Sequence, residues 1–131
     1  NVSRSDDSSS LREIGSLQRR IFPGTDSVET IAVEVTTLDA ILERPLARPC
    51  LLKIDIQGME LEALAGASET LSEVDEALIE CSFVELYEGQ ALADEVIDLM
   101  LGAGLRLAGV FGTSTDAYGQ MIQADFFFRR A

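Results

Sequence analysis

The stretch Cys50-Leu51-Leu52-Lys53-Ile54-Asp55-Ile56, closed by Gln57-Gly58 and continued by Met59-Glu60-Leu61-Glu62-Ala63-Leu64, decides the reading of this chain. Between Pro49 and Gly58 the run is almost continuously apolar, as expected of a strand covered on both faces in a parallel sheet. From 60 to 72, Leu61, Leu64, Ala67 or Ser68, and Leu71 recur at helical spacing. Residues 77–84 form a second buried-strand run, interrupted by Glu80. Leu92, Val96, Leu99, Met100 and Ala103 then mark one side of a helix, with Asp94 and Glu95 in its first turn and Gly102 and Gly104 at its end. Residues 105–111 and 122–128 are expected strands joined by a polar loop, 112–120. Strand-helix-strand-helix-strand-strand implies an α/β fold with parallel strands ending in an antiparallel hairpin. So small a sheet has one edge that should carry more strands.

Upstream of that stretch the signals are weaker. Residues 3–10 are polar and low in complexity, and read as a loop. Residues 29–36 alternate, with Ile31, Val33 and Val35 on one face, and predict a half-buried strand. Thr36 and Asp39 have capping-box spacing for a short helix, which Pro45 and Pro49 then stop. The expected organisation is one domain over 1–131, with a loop-and-strand insertion over 1–35 and the sheet core over 36–131.

Composition narrows the function. At 131 residues and 47% apolar, the chain can bury a core of its own and is not a disordered tail. No apolar run approaches the roughly 20 residues of a membrane helix. There is no signal peptide, and the first residue is Asn1 rather than Met, which reads as an excised fragment. The formal charge is −13, and residues 54–105 hold thirteen acids and no Lys or Arg. Such a field disfavours nucleic acids and anionic membrane surfaces. Cys50 and Cys81 each lie in an apolar stretch and suit a reducing, cytoplasmic setting. Without histidine, Ser-His-Asp and Cys-His catalysis within the chain are excluded. A general base would have to be a carboxylate, Tyr87, Tyr118 or the single lysine, Lys53.

Two carboxylates stand out. In open α/β sheets ligands bind outside the carboxyl ends of the strands, where Asp55 is expected. Gly58 permits a tight turn there and Glu60 opens the next helix, so the pair could converge on a substrate hydroxyl or a cation. The same spacing also suits a plain helix cap, and spacing alone leaves both readings open. Glu80, within Ala77-Leu78-Ile79-Glu80-Cys81, must lie at a sheet end, be paired, or be protonated. Lys53 on the preceding strand is its expected ion-pair partner.

Leu38-Asp39, the run Leu52 to Ala67, Ile79-Glu80, the stretch Phe83 to Gln90, and Gln123-Ala124-Asp125-Phe126 together resemble the FkbM family of S-adenosylmethionine-dependent methyltransferases. The opening Ser8-Ser9-Ser10-Leu11 is similar as well, and Gln57 stands where the family commonly has Glu. The resemblance implies a partial Rossmann-like methyltransferase sheet. It also implies O-methylation of a sugar or secondary-metabolite hydroxyl, with a small molecule or glycan as acceptor and S-adenosylmethionine as cofactor. Asp55 and Glu60 are the implied catalytic residues, and Glu80, Gln57 and Gly58 the implied substrate- or cofactor-binding ones, with no metal ligand set. The glycine-rich D-x-G-A-N-x-G turn that holds the cofactor in the family has no match, so the chain reads as the C-terminal part of such an enzyme, inactive alone. A non-catalytic acidic interaction module is the alternative, and an open sheet edge also admits a homo-oligomer.

Overall fold

A computed structural model describes residues 1–131 apart from the side chain of Asp6. The chain opens with β1 (Val2–Ser3), α1 (Ser16–Ile21), β2 (Ser27–Glu29) and α2 (Leu38–Ile41). The core elements follow as β3 (Leu51–Ile54), α3 (Glu60–Ala65), α4 (Ser68–Glu73), β4 (Glu76–Ser82), α5 (Ala93–Gly102), β5 (Leu105–Thr115) and β6 (Met121–Arg130). The main sheet has the order β3-β4-β6-β5, with β3 parallel to β4 and β6 antiparallel to both its neighbours. Strands β3, β4 and β5 therefore point the same way, and the returning β6 is inserted between β4 and β5. Helix α5 has the bounds that its apolar stripe and closing glycines specify.

Register sorts the two faces of the sheet. Ala77 pairs with Phe128, Ile79 with Phe126 and Cys81 with Ala124, and all six are buried. With Leu64, Leu71, Val96 and Met100 from the helices they form the main core. The alternate positions pair Leu78 with Phe127 and Glu80 with Asp125 on the opposite face. A smaller cluster of Ile14, Leu86, Tyr87 and Ile122 ties the N-terminal segment to the loop after β4.

Four expectations are corrected. Residues 30–37 form no strand: Ile31, Val33 and Val35 are 53%, 54% and 72% exposed, because their alternation meets no pairing partner among the described residues. Strand β3 is not covered on both faces but is an open edge, with Leu51 58% exposed. The continuous helix over 60–72 breaks into α3 and α4 at Gly66, where a Cβ would lie 3.0 Å from the Thr37 methyl. The cap of α2 is Thr37, whose Oγ1 accepts from the Ala40 N–H at 3.2 Å, not Thr36.

Asp39 thereby serves a different helix. Its carboxylate accepts from the N–H groups of Glu69 and Thr70 at 2.9 and 2.8 Å and from the Thr70 and Ser68 hydroxyls, and it pairs with Arg44 at 2.8 Å. Burial works against the charge, but the hydrogen bonds from Glu69, Thr70 and Ser68 win and hold the carboxyl at about 2, below the ordinary 3.8. A lowered folded value means the charge stabilises the fold above about pH 4, and this contribution is lost as pH falls toward 2. Asp39→Asn is therefore expected to lower the thermal midpoint by a constant amount above pH 5. The gap to the parent chain should close between pH 4 and 2, as measured by circular dichroism melts across that range.

Candidate active site at the carboxyl end of β3

The turn from β3 into α3 is built around one buried carboxylate. Glu60 is 6% exposed, and it accepts from the Ile56 N–H at 3.2 Å and from the Gly58 N–H at 3.1 Å to each oxygen. A chain reversing this tightly turns its amides inward, and the carboxylate satisfies them where water does not reach. The backbone passes through the left-handed region at Gln57 (φ 54°) and Gly58 (φ 98°). Gly58 is required on both counts, since a Cβ there would also stand 2.9 Å from that of Tyr87. The outward carbonyls of the turn are taken by the N-terminal segment, with Ser10 Oγ donating to the Gln57 oxygen at 2.6 Å and Arg12 Nε to the Gly58 oxygen at 2.7 Å.

Of the two expected catalytic carboxylates, only Asp55 is free to meet a ligand. It is the first residue past β3, its side chain is 37% exposed, and it receives Lys53 Nζ at 3.2 Å. Glu60 is fully occupied by the turn's own amides. Lys53 pairs with Asp55 and not with Glu80 as expected, since it shares the exposed end of its own strand.

Glu80 lies on the neighbouring strand, facing Asp125 across the β4–β6 register. It has no cationic partner among the described residues; Gln57 Nε2 reaches Oε2 at 3.2 Å and Gln123 Nε2 reaches Oε1 at 2.9 Å. Burial pushes its carboxyl up to about 7, and the charges of Asp55, Asp125 and Glu60 push the same way against the Gln57 hydrogen bond. Gln57 joins the two carboxylates, because the same Nε2 donates to Asp55 Oδ1 at 2.8 Å. Its Oε1 accepts from the hydroxyl of the buried Tyr87 at 2.7 Å. Asp55, Gln57, Gly58, Glu60 and Glu80 are thus all at one place.

The participants beyond these were hidden in the sequence. Tyr87 was visible there only as a candidate base, and burial pushes its hydroxyl up to about 12, so at neutral pH it donates. Burial does the same to the Cys81 thiol. Asp125 could be placed opposite Glu80, and Gln123 opposite Ser82 within reach of Glu80, only once the register was known. Tyr118, 96% exposed on the hairpin loop, takes no part.

Beside Asp55 runs a groove of about 960 Å³ along the open edge of β3, walled by Ile31, Val33, Val35, Leu52 and Ile56, with Asp55 and Gln57 also on its surface. Among the described residues no cluster of three or more His, Cys, Asp or Glu is placed to hold a metal, and no helix is long and apolar enough to cross a membrane.

A mixed α/β sheet with carboxylates gathered at its strand ends is compatible with part of a methyltransferase-like fold. Residues 2–107 match the Methyltransferase FkbM domain, and the chain belongs to that family. It is also 37% identical over 79 residues to the 2-O-methyltransferase NoeI of Sinorhizobium fredii (strain NBRC 101917 / NGR234). That match covers 60% of this chain and 31% of the relative's length.

The turn sets a direct test. Gly58→Ala imposes a left-handed alanine and an overlap with Tyr87, together on the order of 2–4 kcal/mol. Urea unfolding should show a loss of that size. Full stability in the variant would mean that the turn is not closed as described.

Proposed function

We propose that this chain is part of an S-adenosylmethionine-dependent O-methyltransferase and contributes the acceptor side of its active site. The observation that carries this reading is the placement of Asp55 just past the carboxyl end of β3, on the wall of a groove and joined through Gln57 to Glu80 of the adjacent parallel strand β4, in a chain of the FkbM family. Membership supports methyl transfer, and the relative named as a 2-O-methyltransferase supports a hydroxyl as acceptor. The acceptor is a small molecule or a glycan carrying that hydroxyl.

S-adenosylmethionine, when bound, supplies a methyl group on a positive sulfur. The residues present fit it in part: Asp55, Glu80 and Asp125 gather three carboxyls with Lys53, on Asp55, as the single described cationic partner, which suits a sulfonium. Asp55 orients the acceptor hydroxyl and takes its proton. Glu60, Gln57 and Gly58 act one step back, holding the turn that presents Asp55. Orientation and proton removal are the two contributions a protein makes to such a displacement.

The rest of the cofactor site lies on polypeptide outside these residues. Three features support this: the chain has no glycine-rich turn after a strand, β3 is an open edge lined with exposed aliphatic side chains, and the matched stretch is 31% of the relative's length. The free cysteines, Cys50 and Cys81, fit a reducing, cytoplasmic setting.

Isothermal titration of the 131-residue chain with S-adenosylmethionine should give no binding heat, and tight binding by the chain alone would contradict the division of the site. In the whole enzyme, Asp55→Asn should lower turnover about 10²–10⁴-fold, the usual contribution of a positioned base. The thermal midpoint should barely change, because Asp55 is partly exposed. Turnover equal to the parent's would remove Asp55 from the reaction.

A further inference from the structure

Gln57, Tyr87 and Glu80 form a connected chain of hydrogen bonds that ends on Asp55. The Tyr87 hydroxyl donates to Gln57 Oε1 at 2.7 Å, and Gln57 Nε2 forks to Asp55 Oδ1 at 2.8 Å and Glu80 Oε2 at 3.2 Å. Gln123 Nε2 closes the far end on Glu80 Oε1 at 2.9 Å. We propose that Tyr87 and Gln57 are positioning residues, an amide clasp that fixes the Asp55 carboxylate and ties it to Glu80. The proposal rests on the reading of Asp55 as the group that meets the acceptor hydroxyl.

The chemistry of the groups carries it. An ionised carboxylate only accepts hydrogen bonds, so two of them side by side need a shared donor, and a primary amide offers two N–H bonds from one nitrogen. An amide can face either way unless something specifies the orientation. The two acids do so, because they draw the NH2 end, and Tyr87 supports the choice: it is 1% exposed, at neutral pH its hydroxyl keeps its proton, and it gives that proton to the amide oxygen at 2.7 Å, with the Ser8 carbonyl farther off at 3.3 Å. The oxygen end therefore turns to the tyrosine and the donor end to the acids. Gln57 itself is held in left-handed backbone (φ 54°), a costly conformation for a residue with a side chain, with its carbonyl fastened by Ser10. Backbone and side chain are both constrained toward one amide position.

The electrostatic surroundings make the clasp sensitive. Glu80 is faced by Asp55 from the β3 end, by Glu60 from the start of α3 and by Asp125 from β6, while Cys81 follows it on its own strand. The single lysine is already engaged with Asp55 at 3.2 Å. The N–H groups of Gln57 and Gln123 are then the only described stabilisation of a charge on Glu80. Loosening the Gln57 amide should move the Glu80 titration up from near 7.

The test is a 13C NMR titration of the side-chain carboxyls in the full 131-residue chain, comparing the parent with Tyr87→Phe and Gln57→Met. Phenylalanine keeps the buried ring and removes the hydroxyl that holds the amide oxygen; methionine keeps an unbranched side chain and removes both donors. Both variants should raise the Glu80 midpoint and shift the Asp55 carboxyl resonance at fixed pH, with the larger change in Gln57→Met. A tyrosine that merely fills space would leave the Tyr87→Phe curves superimposable on the parent's, and that result overturns the clasp. Should Tyr87→Phe fail to fold, unchanged curves in Gln57→Met overturn it equally. The measurement needs no methyl acceptor, so its failure is separate from a failure of methyl transfer.

Discussion

The carboxylate of Glu60 is the constraint on which the site depends. A chain passing from an edge strand into a helix over five residues leaves inward-facing amides, and at 6% exposure water cannot satisfy them. Glu60 does so, and its place in the first turn of α3 lets its charge complement the positive end of that helix. Closing the turn then requires Gly58, whose bare Cα lets Tyr87 pack directly against the backbone. That contact places the Tyr87 hydroxyl at Gln57, while Ser10 and Arg12 hold the turn from outside. One buried acid thus organises the N-terminal segment, the turn and the loop after β4 as a unit.

How much of this could be read from the sequence follows from what kind of interaction each part uses. The strands, the helix α5 and the hairpin were legible because their signal is periodicity within one segment. The placement of Asp55 and Gly58 was legible too, since the run before them is a strand and they follow its carboxyl end. Residues 29–36 misled because alternation reports an apolar face and says nothing about whether a neighbouring strand exists to pair with it. The helix over 60–72 misled because its apolar spacing runs on through Gly66, where the backbone leaves the helix and Thr37, nearly thirty positions away in the chain, packs against the bare Cα. Lys53 was assigned the wrong acid for the same reason: distances across a sheet depend on register, which no single segment carries. The roles of Tyr87, Gln123 and Asp125 were illegible on that account.

The acid-rich middle of the chain is resolved by contacts of two kinds. Glu62 meets Arg12, Asp75 meets Arg48, Glu76 meets Arg129, and Glu69 and Glu73 share Arg44 with Asp39. All of these arginines come from outside the base-free stretch 54–105, so folding supplies the cations that the local sequence lacks. Such pairs are partly exposed and individually worth little, but they give five of the thirteen acids in that stretch a cationic neighbour. Glu80 and Asp125 are handled otherwise. They stand opposite one another in the sheet, an unfavourable cross-strand arrangement, and Glu80 is given amides in place of a guanidinium. An arginine there would stabilise the fold more, and it would also cancel the negative field at the strand ends. A sheet that sets Glu80 opposite Asp125 without a guanidinium, while five acids of the stretch 54–105 take arginines, gives up stability next to the turn that presents Asp55.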